Sequence, residues 1–240
     1  MSLSAEDEEV RQAAVLFAKN NKKEIARRLT DPELYLPDKE PVSVFMAGSP
    51  GAGKTEASIE LLERYSTDGI RVLRIDPDDL RHEIPGYTGT NSWLFQGAVS
   101  ILVDKIHDLA LSQSQSFLLD GTLSRYDAAK LNIERSLKRQ RTVQILYVYQ
   151  EPQLAWQFVL AREKAEGRQI RPEHFVEQYF EARNVVNRLK AEFGSRIRVE
   201  LLLKNNDNSR RGYEANIEKI DSYVPEKYSR EDVEQLIKKD

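Results

Sequence analysis

Cysteine is absent from this 240-residue chain, so disulfide bonds, thiolate catalysis and cysteine-ligated zinc are excluded. No apolar run reaches the roughly 18 residues of a membrane-spanning helix, and no membrane partner is expected. The first ten residues are acidic and have no apolar stretch typical of a secretory signal, which predicts a cytoplasmic location. The three histidines are scattered and do not show metal-ligand spacing.

Net charge is also small, because 36 Lys and Arg face 39 Asp and Glu for a formal charge of -3. A chain-wide basic field that would hold nucleic acid is therefore absent. One local basic cluster lies in a predicted helix at 124–140, and we interpret it as a solvated face. Nucleic acid is not expected as a partner. The cluster consists of Lys130, Arg135, Lys138, Arg139 and Arg141.

Short apolar segments rich in strand formers alternate with helical patterns, which favours a parallel sheet with helices on both faces. We predict a single α/β domain over 1–240 with five parallel strands. Its parts are an N-terminal helical extension (1–40), a core that holds the five strands (41–204) and a C-terminal helical extension (205–240). The five strands are predicted at 42–47, 71–75, 117–119, 143–149 and 197–203.

Both extensions have helical features. Residues 5–29 have the apolar spacing of an amphipathic helix, which either packs on the core or blocks the site from within the chain. After a polar break at 205–208 we predict two further helices. The last of them starts near Ser229, where Asp232 completes a capping box.

A glycine-rich loop follows the first predicted strand and precedes a helix. Its pattern, G-x-x-x-x-G-K-T, is typical of a phosphate-binding loop of a P-loop kinase-like fold. Backbone N–H groups and the helix N-terminus would bind the phosphates of ATP, Lys54 the β- and γ-phosphates, and Thr55 Mg²⁺. The residues of this phosphate loop are Gly48, Ser49, Pro50, Gly51, Ala52, Gly53, Lys54 and Thr55.

Other motifs limit the classes of nucleotide-binding protein to which this loop can belong. No Asn-Lys-x-Asp base-reading motif follows it, as a GTPase would require. The third strand ends in Asp120-Gly121-Thr122, so Gly121 stands where a motor ATPase has the Glu that activates water. The sequence therefore predicts a phosphotransferase with a bound hydroxyl as acceptor. Lid arginines are expected after the fourth strand, where Arg162, Arg168 and Arg171 lie.

Candidate acceptor-side residues are acidic. Asp76 directly follows the second strand and is placed to take the proton of an acceptor hydroxyl, although it could instead cap the next helix. Asp120 is placed to hold Mg²⁺ through a bound water, or simply ends a strand in an Asp-Gly turn. Asp104 lies within a long apolar helix, either facing solvent or aimed at the acceptor.

Over residues 35–205 the chain resembles the zeta toxin family, the toxins of epsilon/zeta-type toxin–antitoxin systems. The resemblance is found in the phosphate loop after VFMA, Ile75-Asp76 with Arg81 beyond, Asp120-Gly121-Thr122, and then Arg162 and Arg171. It implies ATP-dependent phosphorylation of the 3′-hydroxyl of UDP-N-acetylglucosamine, and silencing by a proteinaceous antitoxin.

The resemblance also implies roles for single residues. Asp76 matches the general base, and Arg162 and Arg171 match two transition-state arginines, although Arg168 is an alternative to Arg171. The residues implied at the sugar nucleotide are Asp76, Arg81, Asp104, Asp120 and Thr122. Asp104 and Asp120 are each one methylene shorter than the family's Glu, which leaves a different sugar nucleotide open.

Two other functions stay open. One is a P-loop kinase acting on a polynucleotide end or on another metabolite, which the basic helix favours weakly. The other is a non-catalytic module whose interaction with a partner depends on nucleotide.

Overall fold

In the part of the chain that the structure describes, six strands form one sheet, and, numbered along the chain, they have the order 2-3-1-4-5-6 across it. The computed structural model describes residues 4–66, 71–167, 169–205, 210–224 and 227–238. Every neighbouring pair is parallel except β5 and β6. The strands are β1 (Val42–Ala47), β2 (Leu73–Ile75), β3 (Phe117–Leu119), β4 (Thr142–Tyr149), β5 (Arg198–Lys204) and β6 (Arg210–Glu214).

Helices connect the parallel strands and cover both faces of the sheet. The α-helices are α1 (Ala5–Leu29), α2 (Lys54–Ser66), α3 (Pro77–Arg81), α4 (Gln96–Ser112), α5 (Tyr126–Leu137), α6 (Pro152–Glu166), α7 (Pro172–Phe193) and α8 (Arg230–Ile237). Within the described residues, no helix has both the length and the apolar composition needed to span a bilayer.

The five predicted parallel strands are all present, and the sheet has one further strand that we did not predict. The sixth strand, β6, pairs antiparallel with β5 and comes from a segment that we predicted to be helical. An antiparallel neighbour needs only a short return of the chain, whereas a parallel one needs a crossover. The prediction for the last helix is confirmed, because Ser229 and Asp232 form the capping box of α8.

Alternate residues of the buried strands point to opposite faces of the sheet. On one face, Val44, Met46 and Leu118 pack with Ala57 of α2. On the other, Phe45 and Phe117 pack in a larger core with residues of α1 and α4. The predicted helices on both faces are therefore confirmed.

The N-terminal helix α1 packs along α4. Its buried residues are small where the two helices approach, and a β-carbon on Gly97 of α4 would lie 3.6 Å from Val15 Cγ2. The buried amide of Gln115 donates to the carbonyls of Thr30 (2.9 Å) and Tyr35 (2.8 Å) and so holds the segment after α1 to the core. These contacts favour a packing role for α1.

Ala18 tests this packing role because its side chain is fully buried in α1. We expect Ala18→Asp to lower the free energy of unfolding by about 3 kcal/mol, since it buries an unpaired charge. Ala13→Asp is the matched control, because Ala13 lies on the exposed face of the same helix. Urea denaturation measures both variants. Equal effects of the two substitutions would contradict a close α1–α4 contact.

Candidate functional site

The phosphate loop is pressed against the neighbouring backbone. Its glycines Gly48, Gly51 and Gly53 all have positive φ angles. A β-carbon on Gly48 would lie 2.3 Å from the Val148 carbonyl oxygen, and one on Gly51 would lie 2.0 Å from the Ala155 carbonyl oxygen. Glycine alone fits this path of the backbone, which runs to the N-terminus of α2, where helix N–H groups can bind an anion.

Lys54 is the first residue of α2, and its ammonium folds back over the loop. Its Nζ donates to the carbonyl oxygens of Gly48 (3.1 Å) and Ser49 (2.7 Å). A cation held over inward-facing N–H groups fits a phosphate group. Thr55 follows at the start of the helix and is partly exposed. The loop geometry therefore fits the nucleotide that the motif predicts.

A cluster of carboxylates around one guanidinium lies at the carboxyl end of the sheet. Arg74 Nη2 donates to Oδ2 of Asp76 (2.5 Å) and to Oδ2 of Asp120 (2.7 Å). Arg74 Nη1 donates to Asp79 Oδ2 (3.2 Å), and Arg74 Nε to Ser58 Oγ (3.2 Å). Ser58 Oγ also donates to Asp120 Oδ2 (3.1 Å). We call Ser58, Arg74, Asp76 and Asp120 the arginine cluster.

The sheet brings these side chains together. β2 and β3 are parallel neighbours, and Arg74 lies beside Leu118 in their register. Asp76 and Asp120 each directly follow their strand, and Asp120 N–H donates to the Ile75 carbonyl (2.9 Å). Residues two apart in a strand share a face, so Arg74 and Asp76 both lie on the side of the sheet that α2 covers.

Asp76 has two structural roles at once. Its Oδ1 accepts a hydrogen bond from Asp78 N–H (2.7 Å) and caps α3, so the capping interpretation is confirmed. Its side chain is only 10 % exposed. Burial raises the pKa of Asp76 to about 6, because the Arg74 guanidinium offsets only part of the lost hydration. A carboxyl with this pKa is suited to accept a proton near neutral pH.

The cluster also fits a divalent cation. Ser58 Oγ lies 2.8 Å from the Thr55 carbonyl oxygen and 3.1 Å from Asp120 Oδ2, so it links the two residues predicted to hold Mg²⁺. Asp76 and Asp120 are both buried but share a single cation, which leaves negative charge uncompensated. The described residues contain no group of three or more His or carboxylate side chains that could hold a metal ion alone. Mg²⁺ usually keeps several waters and needs no such cage.

Around α3, Arg81 and Arg162 meet at one carboxylate. Arg81 is buried and donates to Asp78 Oδ1 and to Gln96 Oε1 (3.4 Å). Its Nε is buried and has no hydrogen-bond partner in the described structure. Arg162 Nη2 lies 4.0 Å from Asp78 Oδ2, which places this lid residue beside the helix that follows Asp76.

The remaining predicted residues lie in different places. Thr122 is next to the phosphate loop, because its carbonyl accepts from Gly48 N–H (3.2 Å). Arg171 is exposed at the start of α7. Asp104 is 71 % exposed and lies 3.8 Å from Arg135, so the structure gives it the solvent-facing position. Arg168 lies outside the described residues.

Three of the five residues in the basic cluster have partners within the fold. Lys130 forms an ion pair with Glu192, and Arg135 one with Asp108. Arg141 is buried, where it donates to the Ser43 hydroxyl (2.7 Å) and the Val42 carbonyl (3.0 Å). The solvated-face interpretation is therefore favoured over a nucleic-acid surface.

Sequence reasoning missed Arg74 and Ser58. The available indication was that Arg74 is a charged residue inside an apolar strand and lies two residues before Asp76, on the same face. Ser58 lies one helical turn after Thr55 and therefore faces the same side of α2.

Comparisons with known proteins show what this chain is similar to. A family model described as Zeta toxin matches residues 25–218. No curated protein matches the chain. A solved structure described as the PezAT chromosomal toxin–antitoxin system of Streptococcus pneumoniae has a TM-score of 0.63 and 18 % identity, over 99 % of this chain and 95 % of that one. A structure titled AvrRxo1-ORF1:-ORF2 with ATP has a TM-score of 0.58 and 16 % identity, over 90 % and 70 %. At such identities the structures show the shared fold alone.

Gly51 tests the phosphate loop. We expect Gly51→Ala to weaken ATP binding at least tenfold, which is about 1.4 kcal/mol, because the loop must shift to relieve the overlap with Ala155. Gly121→Ala is the control, since no atom lies within 4 Å of the added β-carbon. Isothermal titration calorimetry measures both. Unchanged affinity in Gly51→Ala would contradict the close approach.

The effect of Asp76 on the pH dependence of stability tests the electrostatics of the site without any substrate. Its folded-state pKa of about 6 is higher than the ordinary value of 3.8, so the folded protein binds the proton more tightly. The contribution of Asp76 to wild-type stability should therefore fall as pH rises between about 4 and 6. We expect Asp76→Asn to lose this slope, with a relative change on the order of 2 kcal/mol.

Denaturation at a series of pH values measures the difference between wild type and Asp76→Asn. Asp79→Asn is the control, because the Asp79 side chain contacts the same arginine but is 75 % exposed. It should follow the wild-type pH dependence. A wild-type minus Asp76→Asn difference that is flat over this range would show that burial does not perturb Asp76.

Proposed function

Because this chain belongs to the zeta toxin family, we propose that it is the toxin of a toxin–antitoxin system and an ATP-dependent kinase. Its acceptor is the sugar hydroxyl of UDP-N-acetylglucosamine or of a related sugar nucleotide. The observation that supports this most is the arginine cluster, in which Asp76 is connected through Arg74 and Ser58 to the helix that starts at the phosphate loop.

The phosphate loop binds ATP in this proposal. Backbone N–H groups of Gly51 to Thr55 and the N-terminus of α2 receive the phosphate oxygens. Lys54 exchanges its carbonyl partners in the loop for β- and γ-phosphate oxygens. Thr55 would hold Mg²⁺ directly and Asp120 through a bound water. The bound ion would neutralise charge on the phosphates.

Transfer then needs a base and positive charge. Asp76 accepts the proton of the acceptor hydroxyl, whose oxygen bonds to the γ-phosphorus as the bond to the ADP oxygen breaks. Arg162 lies close to α3 through Asp78, and from there it would compensate charge on the transferred group. Arg171, or Arg168 in its place, is the second such arginine in the proposal.

The acceptor would lie between α3, the start of α4 and the segment after β3. Arg81 is buried at this position and keeps an unpartnered Nε. Thr122 is next to the phosphate loop, which suits a contact with the sugar nucleotide. Asp104 has no contact with the arginine cluster among those described, so its role at the acceptor is supported by the family resemblance alone.

Both structural relatives favour a protein partner. One is described as a toxin–antitoxin system, and the other is a complex of two open reading frame products with ATP. We therefore include a proteinaceous antitoxin in the proposal. The polynucleotide alternative loses support, because three of the five residues in the basic cluster are ion-paired or buried, while Lys138 and Arg139 are exposed.

An assay of the purified chain with ATP, Mg²⁺ and UDP-N-acetylglucosamine tests the function. Mass spectrometry should detect one added phosphoryl group. We expect Lys54→Ala and Asp76→Asn each to lower the rate by at least 100-fold, because one loses phosphate binding and the other the base. Asp127→Asn, at an exposed site in α5, serves as the control.

The outcome separates the open functions. ATP binding without a phosphorylated sugar nucleotide would reject this acceptor. Labelling of an oligonucleotide end that weakens steeply with salt would favour the polynucleotide alternative.

A further inference from the structure

Arg74 is unusual for its position in the fold. It is the middle residue of β2, whose neighbours Leu73 and Ile75 are each 2 % exposed. The side chain of Arg74 itself is only 19 % exposed. An arginine in a short buried strand loses hydration, and this loss must be offset by close anionic or hydrogen-bonding partners.

The four partners of Arg74 lie in different parts of the fold. Asp76 follows β2, Asp79 lies on α3, Asp120 follows β3, and Ser58 lies on α2 one turn after the phosphate loop. One Nη2 atom donates to both buried carboxylates, while Nε donates to the Ser58 hydroxyl. The planar guanidinium therefore fixes the distance and the angle between the base candidate and the phosphate-loop helix.

We propose that Arg74 is a positioning residue for phosphoryl transfer, which orients the carboxylate of Asp76 relative to the phosphate-loop helix through Asp120 and Ser58. The inference rests on the proposed kinase function and deepens it by one residue. Arg74 touches neither ATP nor acceptor in this proposal. Its effect is to hold the Asp76 carboxylate, through Oδ2, in one orientation before the acceptor binds.

A purely structural role explains the cluster less well. Buried ion pairs contribute little net stability compared with apolar residues of similar size. An apolar residue at position 74, with neutral residues in place of its charged partners, would suit a strand whose face is covered by α2. Instead the fold keeps one cation between two carboxylates that directly follow adjacent strands, at the edge of the sheet where ligands bind in open α/β folds.

The geometry also requires arginine specifically. The three nitrogens of the guanidinium contact four different side chains. Nε contacts Ser58, Nη1 contacts Asp79, and Nη2 contacts both Asp76 and Asp120. A lysine ammonium is a single point of charge and cannot keep these directions at once. Arg74→Lys therefore retains the positive charge but loses the fork, whereas Arg74→Met loses both.

The test compares Arg74→Met and Arg74→Lys with Arg71→Met, an exposed arginine three residues earlier. We expect kcat to fall about 100-fold for Arg74→Met and about tenfold for Arg74→Lys, as misplacement of a catalytic group predicts. ATP affinity should stay within about threefold of wild type, because the phosphate loop is unchanged. Arg71→Met should match the wild type, and added guanidinium should restore part of the Arg74→Met rate.

A second readout needs no substrate. The carboxyl ¹³C resonance of Asp76 reports its titration in the free protein, where Arg74, Asp78, Asp79 and Asp120 are the charged groups that face it. We expect a higher midpoint in Arg74→Met than in wild type, an intermediate one in Arg74→Lys, and no change in Arg71→Met. The same samples are checked for folding by thermal denaturation.

The outcomes separate this inference from the proposed function. An unchanged kcat in Arg74→Met overturns the inference, and so does a parallel loss of ATP affinity and folding in both Arg74 variants, which would indicate a structural role. If wild type phosphorylates no sugar nucleotide, the proposed acceptor fails. In that case a moved Asp76 midpoint still supports the positioning contact, and an unmoved midpoint overturns it.

Discussion

Asp76 and Asp120 are buried side by side around the single guanidinium of Arg74, and most features of the site depend on this unequal charge. Two anions that share one cation in a place with little water retain net negative charge. Burial is the main cause of the raised pKa of Asp76, and the negative charge of nearby Asp120 adds to it. Burial of these charged side chains lowers the stability of the fold, which is typical of residues at functional sites.

The phosphate loop depends on a different constraint, the close approach of backbone to backbone. Gly48 and Gly51 lie so near the carbonyls of Val148 and Ala155 that any side chain would overlap. The loop is therefore fixed by β4 and α6, while α2 starts from it and contributes Ser58 to the arginine cluster. Binding at the loop and the orientation of Asp76 are in this way connected through one helix.

The helix α3, beside which we propose that the acceptor binds, makes salt bridges as well as core contacts. Asp78 contacts buried Arg81 and lies 4.0 Å from Arg162 of α6, so the helix after Asp76 connects the sheet with one of the predicted lid arginines. Such contacts can exchange partners when a phosphate or sugar nucleotide enters. In the proposed function, specificity for one acceptor over another would therefore depend on a few polar side chains around α3 and not on the fold itself.

The sequence by itself determined the phosphate loop, the α/β class and the ends of β1 and β3, because these depend on local patterns: glycine spacing, apolar runs and the polar residues that follow a strand. It also identified Asp76, although it left open whether the residue capped a helix or served as a base. The structure shows the cap, and burial of the same carboxyl raises its pKa. Only the tertiary structure decided that β6 joins the sheet, because antiparallel pairing depends on two segments together and neither segment alone specifies it. Only the tertiary structure, likewise, placed Asp104 in solvent and gathered Arg74 with Ser58 and Asp120. These residues are 16 and 46 positions from Arg74 along the chain. The physical reason is that burial and ion pairing depend on which strands become neighbours, and no local pattern contains that information.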